Sequence, residues 1–264
     1  MNTIGTLTVP VKRKPLYGER THYIHDKLRT AWPPRKPKSV VESTNLFLRS
    51  LPSACMEKLQ HAVRNVTLER EQHLWGQDVK PEHVYFPETA VISHMKMLED
   101  GRTVEVALTG REGAAGMASL FGSGLSPTSG QVAHAGLALR IEREALQKIR
   151  RIYPELVPFL VAEIGPYISY VSQRSVCNTY HDVKQRFATW LLMIQDRCRT
   201  EILNVTHEQI ARSLGIYRPS LTSIAVELRK NGSIQYCRGE VVILDRPFLE
   251  SQACTCYQSV SMAY

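Results

Sequence analysis

Six cysteines and nine histidines are the side chains of this 264-residue chain best suited to binding a metal or exchanging thiols. The thiols are Cys55, Cys177, Cys198, Cys237, Cys254 and Cys256, and no two form a Cys-x-x-Cys pair. Only Cys254 and Cys256 are near neighbours in sequence. A small secreted scaffold would carry a dense, even framework of cysteines, so reduced thiols in an intracellular setting are expected. Cys254 and Cys256 read as tail residues rather than a thiol switch or a metal pair. His61, His73, His83 and His94 show no ligand spacing, and His181 and His207 read as structural or surface residues. The expectation is no metal and no cofactor. Enzyme chemistry finds no better footing. There is no phosphate loop, no His-Glu-x-x-His and no Gly-x-Ser-x-Gly. Gly110, Gly113 and Gly116 follow a strand, but they lack the dinucleotide spacing and read as loop turns. The chain is expected not to be an enzyme.

A different chemistry is written between Thr206 and Leu244. Thr206-His-Glu-Gln209 fits a capping box, with a threonine N-cap and a glutamine three residues on. Ile210, Ala211 and Leu214 then face inward on a short helix. Gly215 can take the left-handed conformation that ends it. Pro219 suits the first position of a second helix, where its missing N–H costs nothing. Leu221, Ile224, Ala225 and Leu228 form that helix's buried face. Small Ala211 permits a close crossing, and the glycine four residues later permits a tight turn. Leu221 and Ile224, six and nine after the glycine, pin the second helix. This joint spacing matches a DNA-binding helix-turn-helix, which a generic helical hairpin does not require. Ser233 to Cys237 and Glu240 to Leu244 flank Arg238-Gly239 and read as a two-stranded wing, whose tip arginine can reach phosphate. Arg212, Arg218, Lys230 and Arg238 are expected to face DNA.

Other elements must hold this unit. From Asn45 an apolar pattern (Leu46, Leu48, Leu51, then Met56, Leu59, Val63) predicts two short helices, with Pro52 and Ser53 starting the second. Strands are expected at 83–87, 91–98 and 103–108, the last two joined by a Glu-Asp-Gly-Arg turn, and again across 131–141. Many short strands with glycine turns suggest a small β-roll or jelly roll. A helix is expected from Glu142 to Ile152. A long helix then runs from Pro154 to about Tyr180, kinked near Gly165-Pro166. Its stripe, Leu156, Leu160, Ile164, Tyr167/Ile168, Val171 and Ser175, serves equally as a dimer seam or as packing on its own barrel. A helix at 183–197 turns Phe187, Trp190, Leu191 and Ile194 to one side.

Charge adds little. Of the net +8, +7 lies in residues 1–40, where nine basic residues face Glu19 and Asp26. That proline-rich arm reads as a flexible, solvated tail. Segment 200–250 holds six basic and six acidic residues, so any field toward DNA must come from sidedness. No apolar run reaches the ~18 residues that span a bilayer, and the start has no signal-peptide form. A soluble cytoplasmic protein without a membrane partner is expected.

The order of β-roll, long helix and winged helix-turn-helix resembles the Crp-Fnr family of bacterial transcription regulators over about 45–250, and more narrowly a rhizobial-type subgroup. The residues carrying this are VYFPETAVIS (84–93), DGRTVEVALTGREGAAG (100–116), CNTYHDVKQRFATWLLMIQDR (177–197), the helix-turn-helix, the wing at 238–246 and the Cys254-Thr-Cys256-Tyr257 tail. The resemblance implies an α+β fold: a cyclic-nucleotide-binding-like β-roll sensor at 41–152, a dimerisation helix at 153–181, a winged helix-turn-helix at 182–250 and a tail at 251–264, after the arm at 1–40. It implies a homodimer on an inverted-repeat operator of double-stranded DNA, with RNA polymerase as a further partner. Thr206 matches a phosphate-contacting N-cap and Arg218 a base-reading arginine. The family's adjacent glutamate is Pro219 here, and its second arginine is Ser223. Ser220 and Thr222 are further local contacts, and His207 and Arg238 complete the DNA-facing set. The cyclic-nucleotide signature is absent: Met117 stands in place of the ribose-binding glutamate, and no arginine lies between Arg111 and Arg140. A threonine that meets the purine in cyclic-AMP binders aligns with Val171. No cyclic-nucleotide response is expected, and the effector residues stay unassigned. Oxygen-sensing relatives use N-terminal cysteines, which residues 1–54 lack. The rival reading is a β-roll ligand-binding or protein-interaction module with a degenerate helix-turn-helix.

Overall fold

Asn45 and Pro52 set the start of the fold. A computed structural model of the chain describes residues 40–237 and 239–261, so the arm before Val40 and Arg238 lie outside the described residues. The Asn45 side chain accepts from Leu48 N and starts α1 (Leu46–Ser50). Pro52 precedes α2 (Ser53–Leu59). Both helices lie where the apolar spacing puts them.

Seven strands follow: β1 (Arg64–Leu68), β2 (His73–Trp75), β3 (His83–Pro87), β4 (Val91–Met97), β5 (Thr103–Thr109), β6 (Ser129–His134) and β7 (Gly136–Glu142). They form two antiparallel sheets, ordered β1-β7-β3 and β2-β6-β4-β5. Leu68, Trp75, Tyr85, Ile92 and Val132 fill the space between them. The outer face of the four-stranded sheet is buried too. There Val91, Ala107, Leu108 and Ala133 join the helical core, so the middle of β4 is buried on both sides rather than alternating.

Helix α3 (Arg143–Ile152) leaves the roll. The expected long helix is divided into α4 (Val157–Ala162) and α5 (Ile164–Tyr180). The break falls at Glu163 because Pro166 has no N–H to give the Ala162 carbonyl. Helix α5 is two-sided. Tyr170, Arg174 and Cys177 are buried, and Tyr167 and Val171 pack on the chain's own core. On the other flank Ile164, Ile168, Val176 and Tyr180 are exposed, Ile168 by 57% and Tyr180 by 80%. Packing on the chain's own roll and core thus occupies one flank of this helix, and the described residues leave the other uncovered.

Helix α6 (Val183–Cys198) starts in a full capping box between Asp182 and Gln185. Phe187 to Ile194 are buried without a gap, so α6 is the central helix of the core. After β8 (Ile202–Leu203) come α7 (His207–Leu214), α8 (Arg218–Lys230), β9 (Ile234–Cys237) and β10 (Glu240–Ile243). β10 pairs with β8 on one side and β9 on the other, giving a three-stranded wing sheet. Helices α9 (Arg246–Gln252) and α10 (Cys256–Ser261) finish the described chain. Among the described residues, no helix is long and apolar enough to cross a membrane.

Candidate nucleic-acid interface and a second cavity

Thr206 caps α7 through its Oγ1, which accepts from Gln209 N at 3.2 Å. The other half of the expected box is not used. Gln209 turns its side chain inward and donates Nε2 to the Ala133 carbonyl of β6 at 2.6 Å, a stronger claim on a buried amide than a cap open to water. Gly215 ends α7 at φ 62°, and Ile216 N reaches back to the Ala211 carbonyl at 3.0 Å, a Schellman-type close. A side chain at 215 would need the left-handed conformation and would also meet Val104 at 3.2 Å.

Arg218 opens α8 and Pro219 is its second residue, within the one-residue play of a helix boundary. Leu221, Ala225 and Leu228 point into the core. Arg218, Ser220, Thr222 and Ser223 are all exposed on the outer face. Thr222 and Ser223 donate to the carbonyls of Arg218 and Pro219 at 3.2 and 3.3 Å, which fixes their hydroxyls on the helix surface. Arg218 Nη1 lies 3.6 Å from Glu208 Oε2, with both side chains about two-thirds exposed. Such a pair holds weakly, so the guanidinium is free to exchange it for another anion.

His207 is half-buried, edge-on to Tyr236 with ring centroids 4.3 Å apart. Burial, then the nearby Arg218 charge, push its pKa below the ordinary 6.5, so it is neutral at pH 7. A groove of about 310 Å³ runs past Thr206, His207, Arg218, Arg229, Tyr236 and Gly239. It joins the cap, the second helix and the wing turn, the three places an anion backbone would touch. Arg229 escaped the sequence reading. It stands eleven residues after Arg218, three turns on the same face, and that interval was the available signal.

Arg212 was expected to face DNA. Instead its Nη2 pairs with Glu71 Oε1 in the β1–β2 turn, and the neighbouring Arg70 donates Nη1 to the Gly239 carbonyl at 3.0 Å. One turn of the roll thus holds both the first helix and the wing.

The second candidate feature is a cavity of about 410 Å³ under the break between α4 and α5. Trp75, His94, Met117, Phe121, Glu163 and Tyr167 are among its walls. No arginine or lysine is among the described residues lining it. Burial lowers His94 to about 4, so it carries no charge either. A cyclic phosphate buried here would lack a cation. Val171 packs on the helical core and is not among the lining residues.

Glu163 is the one carboxyl among the described residues of the wall, and burial pushes it up to about 7 from the ordinary 4.5. Between those values the folded protein keeps a proton that the unfolded chain releases. Stability from this group is therefore full below about 4.5 and is lost as pH rises to about 7. Glu163→Gln is expected to flatten that slope and to be more stable than wild type at pH 8, read from urea midpoints at pH 5 and pH 8. Equal slopes in the two proteins would refute the assignment.

The Crp-like helix-turn-helix domain family matches residues 185–252. Among solved structures, FixK2 from Bradyrhizobium japonicum matches with a TM-score of 0.59 at 18% identity, over 73% of this chain and 98% of that one. TTHB099, a CRP-family transcriptional regulator from Thermus thermophilus, gives 0.60 at 18%, over 71% and 96%. CLP, a c-di-GMP-responsive global regulator from Xanthomonas campestris, gives 0.58 at 14%, over 73% and 99%. No curated protein matches the chain in sequence. Domain and architecture agree from the roll to the wing.

Proposed function

We propose, for a chain with a Crp-like helix-turn-helix domain on the Crp-Fnr regulator fold, that it is a sequence-specific DNA-binding transcription regulator. It acts as a homodimer on an inverted-repeat operator. The observation that carries this is the outer face of α8, where Arg218 and three hydroxyl residues stand exposed beside the Thr206 cap and the wing turn. The exposed flank of α5, Ile164, Ile168, Val176 and Tyr180, supports the dimer. These residues recur at helical spacing on a face that the described residues leave uncovered. The cavity supports an uncharged, largely apolar effector in place of a cyclic nucleotide, because the described residues of its walls supply no cation.

Selection of bound duplexes from a random pool, with the mass of the free protein measured alongside, tests this reading. The expected product is an inverted repeat with half-sites about 34–36 Å apart, bound by a dimer. Cyclic AMP or cyclic GMP added to the complex is expected to leave affinity unchanged. A pool that gains no common sequence would reject DNA reading and favour a β-roll interaction module.

A further inference from the structure

Three thiols and an imidazole meet where the tail crosses the end of α5. Cys177 lies on its last turn and His181, four residues on, is its extended C-cap. Cys254 and Cys256 flank the bend between α9 and α10. All four ligand atoms, three Sγ and one ring nitrogen, lie within 4.8 Å of one another. Cys177 Sγ is 3.5 Å from Cys254 Sγ, and Cys256 Sγ is 3.4 Å from His181 Nδ1. The three cysteines are buried.

We infer that Cys177, His181, Cys254 and Cys256 form a structural site for a zinc-class divalent ion. In a tetrahedral site with Zn–S near 2.3 Å, sulfur atoms lie roughly 3.8 Å apart, close to the spacings found here. The four protein ligands fill the shell and leave no open position, as in structural rather than catalytic sites. A disulfide accounts for less. It would join one pair at roughly 2.05 Å and leave Cys256 and His181 facing each other without purpose.

The surroundings fit the charge. Three thiolates and a divalent ion sum to minus one. Arg174, one turn before Cys177, is buried, and its Nε, Nη1 and Nη2 have no hydrogen-bond partner among the described residues. A buried guanidinium needs anions nearby, and both the Glu105 carboxyl and Cys177 lie within its field. Gln173 Nε2 donates to Cys256 Sγ at 2.8 Å, and Thr189 Oγ1 lies 3.2 Å from Cys254 Sγ. Such outer partners orient metal ligands. Metal entry releases the thiol protons to solvent. The bound ion would clasp the tail to the end of α5, beside the turn into α6.

The test does not depend on DNA and so stands or falls separately from the regulator reading. The full chain, reduced and stripped with a chelator, is titrated with Zn²⁺ against a chromophoric competitor and with Co²⁺ by absorbance. One equivalent per chain is expected, with thiolate-to-cobalt charge transfer and intense tetrahedral bands. Cys256→Ser and His181→Ala should each weaken Zn²⁺ by at least the roughly 10–100-fold that losing an outer partner costs. Cys55→Ala, away from the cluster, should change nothing. Less than one equivalent, a cobalt spectrum without sulfur ligation, or unchanged affinity in the Cys256→Ser/His181→Ala double variant would overturn the site. The metal stoichiometry and cobalt spectrum of the unaltered chain decide the matter even where a variant fails to fold.

Discussion

Trp190→Ala is expected to cost about 3–5 kcal/mol of stability, as for a large aromatic removed from a packed core. Trp190 is fully buried in α6 and touches more than apolar neighbours. Its Nε1 donates to Glu105 Oε1 at 2.9 Å. Glu105 sits in β5 with no exposed surface, and Ser93 donates to its other oxygen at 2.6 Å. Ser213 of α7 also binds this carboxyl, and the Arg174 charge acts on it. Burial pushes its pKa up, against these partners. One acidic side chain therefore links the roll, α6, the first helix of the helix-turn-helix and α5. Deleting the indole leaves a cavity and strips a donor from that hub, and an orphaned buried acceptor costs a further ~1–3 kcal/mol. Trp190→Phe separates the two effects, since it keeps most of the packing and loses the donor. Urea denaturation of both variants reads the difference. A loss below about 1 kcal/mol for the alanine variant would show that the hub is not the structural centre described here.

Arg218→Ala should weaken binding to the selected operator by roughly 5–150-fold, the equivalent of the ~1–3 kcal/mol of a good bidentate base contact. Thermal stability should hardly move, because the pair with Glu208 is exposed and worth little. Arg218→Lys keeps the charge but not the planar fork, so it should recover phosphate attraction without base discrimination. Ser220→Ala and Ser223→Ala should cost less. Gel shifts against the selected sequence and a scrambled one measure both affinity and discrimination. Unchanged discrimination in Arg218→Ala would remove it from the base-reading role and point to Arg229 in the same groove.

The helix-turn-helix was legible because its signals are local. Thr206, Gly215 and Pro219 each answer to the backbone beside them, and Leu221, Ala225 and Leu228 repeat at helical spacing. The hairpin at 91–109 was legible for the same reason, with Gly101 at φ 83° in its turn. Strands β1 and β2 were not. They are short and half-exposed, and β2 pairs with β6 through an irregular register, so no alternation marks them. The break at Glu163 was half visible: Pro166 announced a kink but not its cost to Ala162. Contacts across long stretches of chain stayed hidden. Arg212 and Glu71 are 141 residues apart, and Cys177 and Cys254 are 77 apart. Cys177 and His181 four apart, and Cys254 and Cys256 two apart, were the clues to the cluster, and the two pairs needed the fold to meet.

Helix α5 has 17 residues, a rod of about 25 Å at 1.5 Å per residue. Its near end begins beside Glu163, in the cavity wall, and its far end carries Cys177 and leads into α6. The geometry is that of a lever with its fulcrum at the break. A tilt of about 10° there carries the Tyr180 end through roughly 4 Å. Were the cavity to take an effector and the chain to pair through α5, as proposed above, the effector's size would set a distance at the other end of the rod.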